Sequence, residues 1–199
     1  MVRSTFFDLG GVLFTNGTKR FVAHIVHTYK VDEKKVRNLV DVGRIPTDYR
    51  EGRITRSEFW QNFRNELQII KGVDALEKEW IQGYELIQGT RDILFRLKKR
   101  YKVYFLSDNV KERVDAIDRK FGFLSWFDGG VFSYEVGVRK PHIAIYKALL
   151  KKARLEGRET IFIDDNKIFL PPASKLGIRT ILFRNPQQLK NDLKKKGIL

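Results

Sequence analysis

The sequence predicts an α/β fold: a Rossmann-like parallel sheet core, with a helical cap inserted after the first strand. Short apolar runs bounded by turn residues have the length and composition of buried parallel strands. Helical patterns separate the later runs, as they do in repeated βαβ units. The first two runs are instead separated by residues 8–102, most of which show helical patterns and no strand. We therefore expect a sheet domain that is interrupted once, early in the chain.

The elements follow in chain order. Strands rich in Phe, Ile, Val and Tyr are predicted at Ser4–Phe7, Val103–Leu106, Gly130–Phe132, Thr160–Ile163 and Thr180–Phe183. Helices are predicted at Lys111–Phe121, His142–Lys152 and Phe169–Leu176, with a last helix within Gln187–Leu199. The predicted core comprises residues 1–14 and 89–199, and residues 15–88 form the predicted cap, hereafter the cap segment.

One helix start within the cap segment is especially clear. Thr55 and Glu58 have the spacing of a capping box, in which each side chain satisfies a backbone N–H of the other residue. Trp60, Phe63 and Leu67 then recur at helical spacing. We expect these three side chains to pack in the core rather than to form a platform for a ligand.

Several arginines crowd one part of the cap segment. Arg44, Arg50, Arg53 and Arg56 all fall within thirteen residues. Most of them are expected to be solvated, because charged side chains on a helical surface usually are. Any one that reached into the cleft could hold an anionic group of a substrate.

Composition narrows the possible functions. The 199 residues carry a formal net charge of +15 and contain no cysteine, which excludes disulfides, thiolate metal sites and a cysteine nucleophile. Basic residues are spread along the chain without a known nucleic-acid-binding motif, so nucleic acid is not the expected partner. No apolar run is long enough for a membrane span and no signal peptide is recognised. We expect a cytoplasmic protein, monomeric or homodimeric, that acts on a small phosphorylated substrate.

Polar residues stand where the predicted strands end. In a doubly wound sheet, ligands bind in the crevice beyond the carboxyl ends of the strands. Acidic, hydroxyl and amine side chains should therefore converge at one rim of the sheet. The residues in question are Asp8, Ser107, Asp108, Lys140, Asp164 and Asp165.

This set of side chains suits phosphoryl chemistry. Clustered carboxylates repel one another unless a cation lies among them, and hard oxygen ligands favour Mg²⁺. A carboxylate such as Asp8 can attack an electrophilic phosphorus and form an aspartyl-phosphate. Lys140 and the metal would neutralise the charge of the group in transfer, and Ser107 would donate a hydrogen bond to it.

Four segments resemble, in the correct order, the four motifs of the haloacid-dehalogenase-like (HAD) superfamily. They are Phe6–Phe14, Leu106–Asn109, Arg139–Pro141 and Phe162–Asn166. The stretch Arg50–Phe59 also resembles the cap of bacterial sugar-phosphate phosphatases in this group. The resemblance spans the whole chain and implies a Mg²⁺-dependent phosphatase with a helical cap over its site.

The resemblance also implies a metal-binding set. Asp8 would be both nucleophile and metal ligand, and Gly10 would offer its backbone carbonyl to the ion. Asp165 would bind Mg²⁺ directly, and Asp164 would act through water.

A phosphate-binding set is implied in the same way. Ser107 and Lys140 would hold the phosphoryl group, with the backbone N–H of Asp108 nearby. The expected substrate is a small phosphorylated metabolite such as a sugar phosphate.

One position departs from the usual phosphatase pattern. Most phosphatases of the superfamily carry a second Asp two residues after the nucleophile, which protonates the leaving oxygen and later activates water. Here that residue is Gly10. A subgroup that resembles α-D-glucose-1-phosphate phosphatase also has Gly there, and its anomeric leaving group needs less acid assistance. We then expect a preference for anomeric, acyl or aryl phosphates.

Gly10 is also compatible with two further functions. The chain could be a metal-independent 2-haloacid dehalogenase, since a halide leaves without a proton. The paired Asp164 and Asp165 argue against this, because they suit a metal. Alternatively, the chain could be a catalytically weak protein that uses the HAD fold for binding.

Overall fold

The computed structural model describes all 199 residues and contains one five-stranded sheet in the order β3-β2-β1-β4-β5. Every pair of neighbouring strands is parallel. The predicted Rossmann-like α/β fold is therefore confirmed. The strands are β1 Ser4–Phe7, β2 Lys102–Ser107, β3 Gly129–Phe132, β4 Thr160–Asp164 and β5 Arg179–Leu182.

Helices account for most of the remaining chain. Between β1 and β2 lie α1 Gly17–Tyr29, α2 Glu33–Arg37, a π-helical turn Asn38–Val42, α3 Arg44–Arg50, α4 Arg56–Leu67, α5 Val73–Gln82 and α6 Gln88–Lys98. After β2 come α7 Lys111–Phe121, α8 Ser133–Val136, α9 Ile143–Ala153, α10 Leu170–Lys175 and α11 Pro186–Lys195. None of these helices combines the length and apolarity that a bilayer crossing requires.

Differences from the predicted bounds have local causes. The helix expected at Phe169–Leu176 begins at Leu170, after a short 3₁₀ turn at Lys167–Phe169. Pro171 and Pro172 lack a backbone N–H, so they fit only the first turn of a helix.

The predicted capping box is present at the start of α4. Thr55 N donates to Glu58 Oε2 at 2.7 Å, and Glu58 N donates to Thr55 Oγ1 at 3.2 Å. Trp60, Phe63 and Leu67 are buried, as predicted.

The chain leaves and rejoins the sheet domain through two adjacent segments. Ile87 N donates to the carbonyl of Leu13 at 2.9 Å, and Thr15 N donates to the carbonyl of Glu85 at 2.8 Å. The Thr15 hydroxyl also donates to the carbonyl of Gly83 at 2.7 Å. These bonds hold the two ends of the α1–α5 region side by side, next to the carboxyl end of β1.

One large apolar cluster crosses from the helices of the cap segment to the sheet. It joins Phe21, Trp60 and Trp80 with Phe105 and Val114. The Arg113 guanidinium of α7 also lies 3.6 Å from the Trp80 ring centroid. The region α1–α5 is thus packed on the sheet domain by burial as well as by its two connections.

Candidate active site

A buried lysine bridges two carboxylates at the carboxyl edge of the sheet. Lys140 Nζ lies 2.8 Å from Asp8 Oδ1 and 2.7 Å from Asp164 Oδ2. Asp8 directly follows β1 and Asp164 ends β4, and these strands are neighbours in the sheet. The parallel register therefore brings the two acids together, and Lys140 reaches them from the loop after α8.

A third carboxylate completes an acidic cluster. Carboxylate oxygens of Asp8, Asp164 and Asp165 all lie within 4.8 Å of one another. Asp164 is fully buried and accepts from Asn166 N at 2.8 Å, whereas Asp165 is half-buried and faces the cleft. The two neighbouring acids therefore occupy different positions, one behind the cleft and one lining it.

Burial and mutual repulsion shift the ionisation of these acids. Burial raises the pKa of Asp8 well above its usual range; Lys140 opposes that shift, and the two other carboxylates add to it. The pKa values of Asp164 and Asp165 are raised as well, chiefly by burial. For Lys140, burial alone would lower the pKa, but the surrounding carboxylates outweigh it and keep the ammonium protonated. One lysine thus faces an excess of negative charge.

The end of β2 and the loop that follows it carry the predicted phosphate-binding residues Ser107 and Asp108. Ser107 is buried and lines the cleft. The carboxylate of Asp108 accepts from Lys140 N at 3.0 Å and from Arg139 Nε at 3.4 Å. These bonds fix the loop after β2 to the loop that carries Lys140, so Ser107 and Lys140 are held at one site.

A cleft of about 990 Å³ opens above these residues. Its floor is formed by the ends of β1 and β2 and the loop after β4, and residues of α1, α3 and the π-helical turn form its opposite wall. All predicted site residues except Asp164 line it, namely Asp8, Gly10, Ser107, Asp108, Lys140 and Asp165.

The residues present fit a bound Mg²⁺ ion. Three carboxylates within 4.8 Å of one another are a hard-oxygen donor set with more negative charge than Lys140 can balance. Space beside them is kept open by Gly11, which has a φ of +95° and lies so close to Asp165 that an added Cβ would be 2.3 Å from its Oδ2. Asp8, Asp165 and the carbonyl of Gly10 would hold the ion.

We expect Gly11→Ala to weaken magnesium binding by about tenfold or more, because the methyl group would displace the Asp165 carboxylate. Calorimetric titration with Mg²⁺ measures this directly. Gly122→Ala is the matched control: Gly122 also has a positive φ of +64°, but an added Cβ meets nothing within 4 Å. Equal Mg²⁺ affinities for the two variants would contradict this role of Gly11.

Several polar residues of the site have no role that the sequence alone predicts. Arg139 enters the third motif only as the neighbour of Lys140, yet it bonds the Thr47 hydroxyl at 3.1 Å as well as Asp108. The Ser133 hydroxyl donates to the carbonyl of Arg50 at 2.6 Å and accepts from Asn109 N at 3.2 Å. The bonds of Arg139 with Thr47 and of Ser133 with Arg50 link the cap segment to the core. No local pattern in the sequence predicts a contact between residues so far apart in the chain.

Fold and site together define a Rossmann-like α/β hydrolase with an acidic centre at the carboxyl edge of its sheet. The chain belongs to the haloacid dehalogenase-like hydrolases, whose family model matches residues 2–177. This confirms the resemblance to the superfamily that the four motifs indicated.

Individual relatives agree with this membership. A D-ribitol-5-phosphate phosphatase of Bacteroides thetaiotaomicron is 22% identical over 97% of each chain. A crystal structure of a HAD family enzyme from Bacteroides thetaiotaomicron, in complex with magnesium and inorganic phosphate, is 26% identical with a TM-score of 0.80 and covers 93% of this chain and 96% of its own. A HAD-like hydrolase structure from Porphyromonas gingivalis shares the fold, with a TM-score of 0.80, 21% identity and 98% coverage of both chains.

Proposed function

We propose that this hydrolase is a Mg²⁺-dependent phosphomonoesterase that acts on a small phosphorylated metabolite through an aspartyl-phosphate. The observation that carries the proposal is the contact of Lys140 with Asp8 inside an acidic cluster that lines a polar cleft. The phosphatase among the relatives and the magnesium and phosphate in the related crystal structure support it.

The side chains divide the reaction between them. Lys140 holds one oxygen of Asp8, so the other is free to attack phosphorus. A bond forms between Asp8 and phosphorus as the ester O–P bond breaks. The leaving oxygen keeps the electron pair of the broken bond and takes a proton from a water molecule. The hydroxide that remains is neutralised by the proton released in the next step. A second water then attacks the aspartyl-phosphate, which releases inorganic phosphate and restores Asp8. Fixing nucleophile and phosphorus together contributes about 7–11 kcal/mol in favourable cases.

Charge is balanced around the transferring group. Lys140 and Ser107 would contact the phosphoryl oxygens, beside the backbone N–H of Asp108. Mg²⁺ held by Asp8, Asp165 and the carbonyl of Gly10 would supply further positive charge beside the phosphoryl group. Asp164 lies behind the cleft and holds Lys140 in place at 2.7 Å, so it is a positioning residue for the ammonium group.

Gly10 bears on the choice of substrate. With no carboxylate two residues after Asp8, the chain itself offers no acid at that position for the leaving oxygen. Substrates with a good leaving group, such as anomeric sugar phosphates and aryl phosphates, are therefore favoured. The same preference is expected of the subgroup that resembles α-D-glucose-1-phosphate phosphatase.

The cap segment at residues 15–88 is proposed to limit access to the site. It supplies one wall of the cleft, which includes Asn16, Lys19, Arg37 and Arg50. A wall built from residues outside the sheet domain can select a substrate without altering the groups at the sheet edge.

We expect a panel of phosphate esters to distinguish the possible activities. Phosphate release from para-nitrophenyl phosphate and α-glucose 1-phosphate should require Mg²⁺, stop with EDTA and return when Mg²⁺ is restored. Activity that persists in chelator, together with chloride release from 2-chloropropionate, would instead identify a dehalogenase. If no ester is hydrolysed, the result would favour the third possibility, a protein that uses the HAD fold only for binding.

A further inference from the structure

Two arginines from different parts of the chain converge on one backbone oxygen at the wall of the cleft. Arg50 Nη1 lies 3.0 Å and Arg139 Nη1 lies 3.3 Å from the carbonyl oxygen of Asp41. Arg50 belongs to α3 and Arg139 to the loop that carries Lys140. Both residues line the cleft. Two guanidinium groups are thus held close together although they repel each other.

This pair of cations is largely withdrawn from water. The side chain of Arg50 is only 6% exposed and that of Arg139 is 20% exposed. Burial lowers the pKa of Arg50 to about 10, and the nearby Arg139 contributes to the lowering. Like charges in a poorly solvated site raise the free energy of the protein unless an anion lies beside them.

The protein's own carboxylates offset this charge only in part. Asp41 Oδ1 lies 3.3 Å from Arg50, and Asp108 Oδ2 lies 3.4 Å from Arg139. Arg37 adds a third cation, whose Nη2 lies 3.9 Å from Asp41. Arg37 also pairs with the exposed Glu33 at 3.8 Å, and Asp41 is shared between Arg37 and Arg50. The two buried guanidinium groups are therefore only partly neutralised by carboxylates of the protein.

Hydrogen-bond donors also remain available. Nε and Nη1 of Arg139 bond to protein oxygens, but its Nη2 makes no hydrogen bond. Arg50 donates through Nη1 and Nη2, and its Nε has no acceptor. A guanidinium with unused N–H groups is suited to a planar carboxylate.

The arginine pair lies close to the proposed phosphoryl site. Arg139 directly precedes Lys140, whose ammonium contacts Asp8, and Arg139 Nε bonds Asp108 of the proposed phosphate-binding loop. A small molecule with its phosphoryl group at Asp8 could therefore extend to the pair.

We propose that Arg50 and Arg139 form a second anion subsite that binds a carboxylate at the far end of the substrate. This inference rests on the proposed function and narrows its substrate class to phosphate esters of small carboxylic acids, such as sugar-acid phosphates. A carboxylate is a planar, singly charged acceptor that matches the unused N–H groups of Arg50 and Arg139. A second phosphate would bring nearly two charges.

Binding of non-hydrolysable ligands tests the subsite without reference to turnover. 4-Phosphonobutanoate and 4-hydroxybutylphosphonate have the same length and differ only in a terminal carboxylate or hydroxymethyl group. In the presence of Mg²⁺ we expect calorimetry to give a Kd about tenfold lower for the carboxylate. Turnover of phosphate esters is assayed separately, so a failure of the hydrolase proposal is distinguishable from a failure of the subsite.

Matched variants distinguish specific binding by the arginine pair from nonspecific attraction of anions to a positively charged cleft. Arg139→Gln should reduce the carboxylate preference to about twofold or less. Lys167→Gln removes the same charge from an exposed lysine that also lines the cleft, and it should keep the preference. Arg50→Lys, which keeps the charge and loses the planar fork, should weaken the preference and serves as a second variant if Arg139→Gln does not fold.

Three results would overturn the inference. The wild-type protein could bind the two phosphonates equally, which would indicate that the cleft does not recognise a carboxylate at the end of the substrate away from the phosphoryl group. Lys167→Gln could abolish the preference as fully as Arg139→Gln does. Propane-1,3-bisphosphonate could bind more tightly than 4-phosphonobutanoate, which would replace the carboxylate with a second phosphate.

Discussion

Asp8→Asn is expected to lower kcat for phosphate esters by about 10⁴-fold or more, because the amide cannot attack phosphorus. Asp8 is buried and bonded to Lys140, so no other side chain can take its place without moving. The substitution keeps the size of the side chain and removes a buried negative charge. Steady-state kinetics with para-nitrophenyl phosphate at saturating Mg²⁺ measures the effect.

Folding must be checked in the same variant. Burial already raises the pKa of Asp8, so a neutral side chain of the same size should not destabilise the fold. We expect a thermal unfolding temperature at or above that of the wild type. Asp92→Asn, which changes an exposed carboxylate on α6, is the matched control and should retain full turnover. Substantial activity of folded Asp8→Asn would remove the proposed nucleophile.

Gly10→Asp is expected to shift the substrate preference toward alkyl phosphates, which have poor leaving groups. An added Cβ at Gly10 meets nothing within 4 Å, so the larger side chain can be accommodated. It would place a carboxyl group two residues after Asp8, in the usual place of the acid that protonates the leaving oxygen. The ratio of kcat/KM for an alkyl phosphate to that for para-nitrophenyl phosphate should rise about 10²-fold, since only the alkoxide needs a proton.

Gly10→Asn is the control for this substitution, because it adds nearly the same volume without a group that can donate and accept the proton. Its ratio should stay at the wild-type value. If both variants change the ratio equally, size rather than acid–base chemistry governs the preference. If neither changes it, the missing carboxylate does not limit the reaction of poor leaving groups.

The sequence predicts the residues at the base of the cleft, because the carboxyl ends of parallel strands lie at the same edge of a sheet. Once β1 and β4 are recognised as neighbours of one sheet, Asp8 and Asp164 must lie close together, and the structure places them on either side of Lys140. Hydrophobic runs and turn residues mark the ends of the strands locally, whereas the pairing of β1 with β4 is supplied by the structure.

The wall of the cleft could not be predicted in this way. Arg50 is one of four arginines in a short stretch, and nothing local distinguishes it from its neighbours. Arg44 is exposed and pairs with Asp48, and Arg56 binds Glu77, whereas Arg50 turns inward. That difference arises from the packing of α3 against the core, through bonds such as those of Thr47 with Arg139 and of the Arg50 carbonyl with Ser133, 92 and 83 positions apart. Charge patterning alone cannot supply such contacts.

The apolar cluster that runs from Trp60 and Trp80 to Phe105 has a consequence for how this protein responds to heat. Because both regions contribute to this one large cluster, neither can lose its packing there without exposing apolar side chains of the other. Melting should therefore be cooperative across the whole molecule, with no stable half-folded species in which the sheet survives alone.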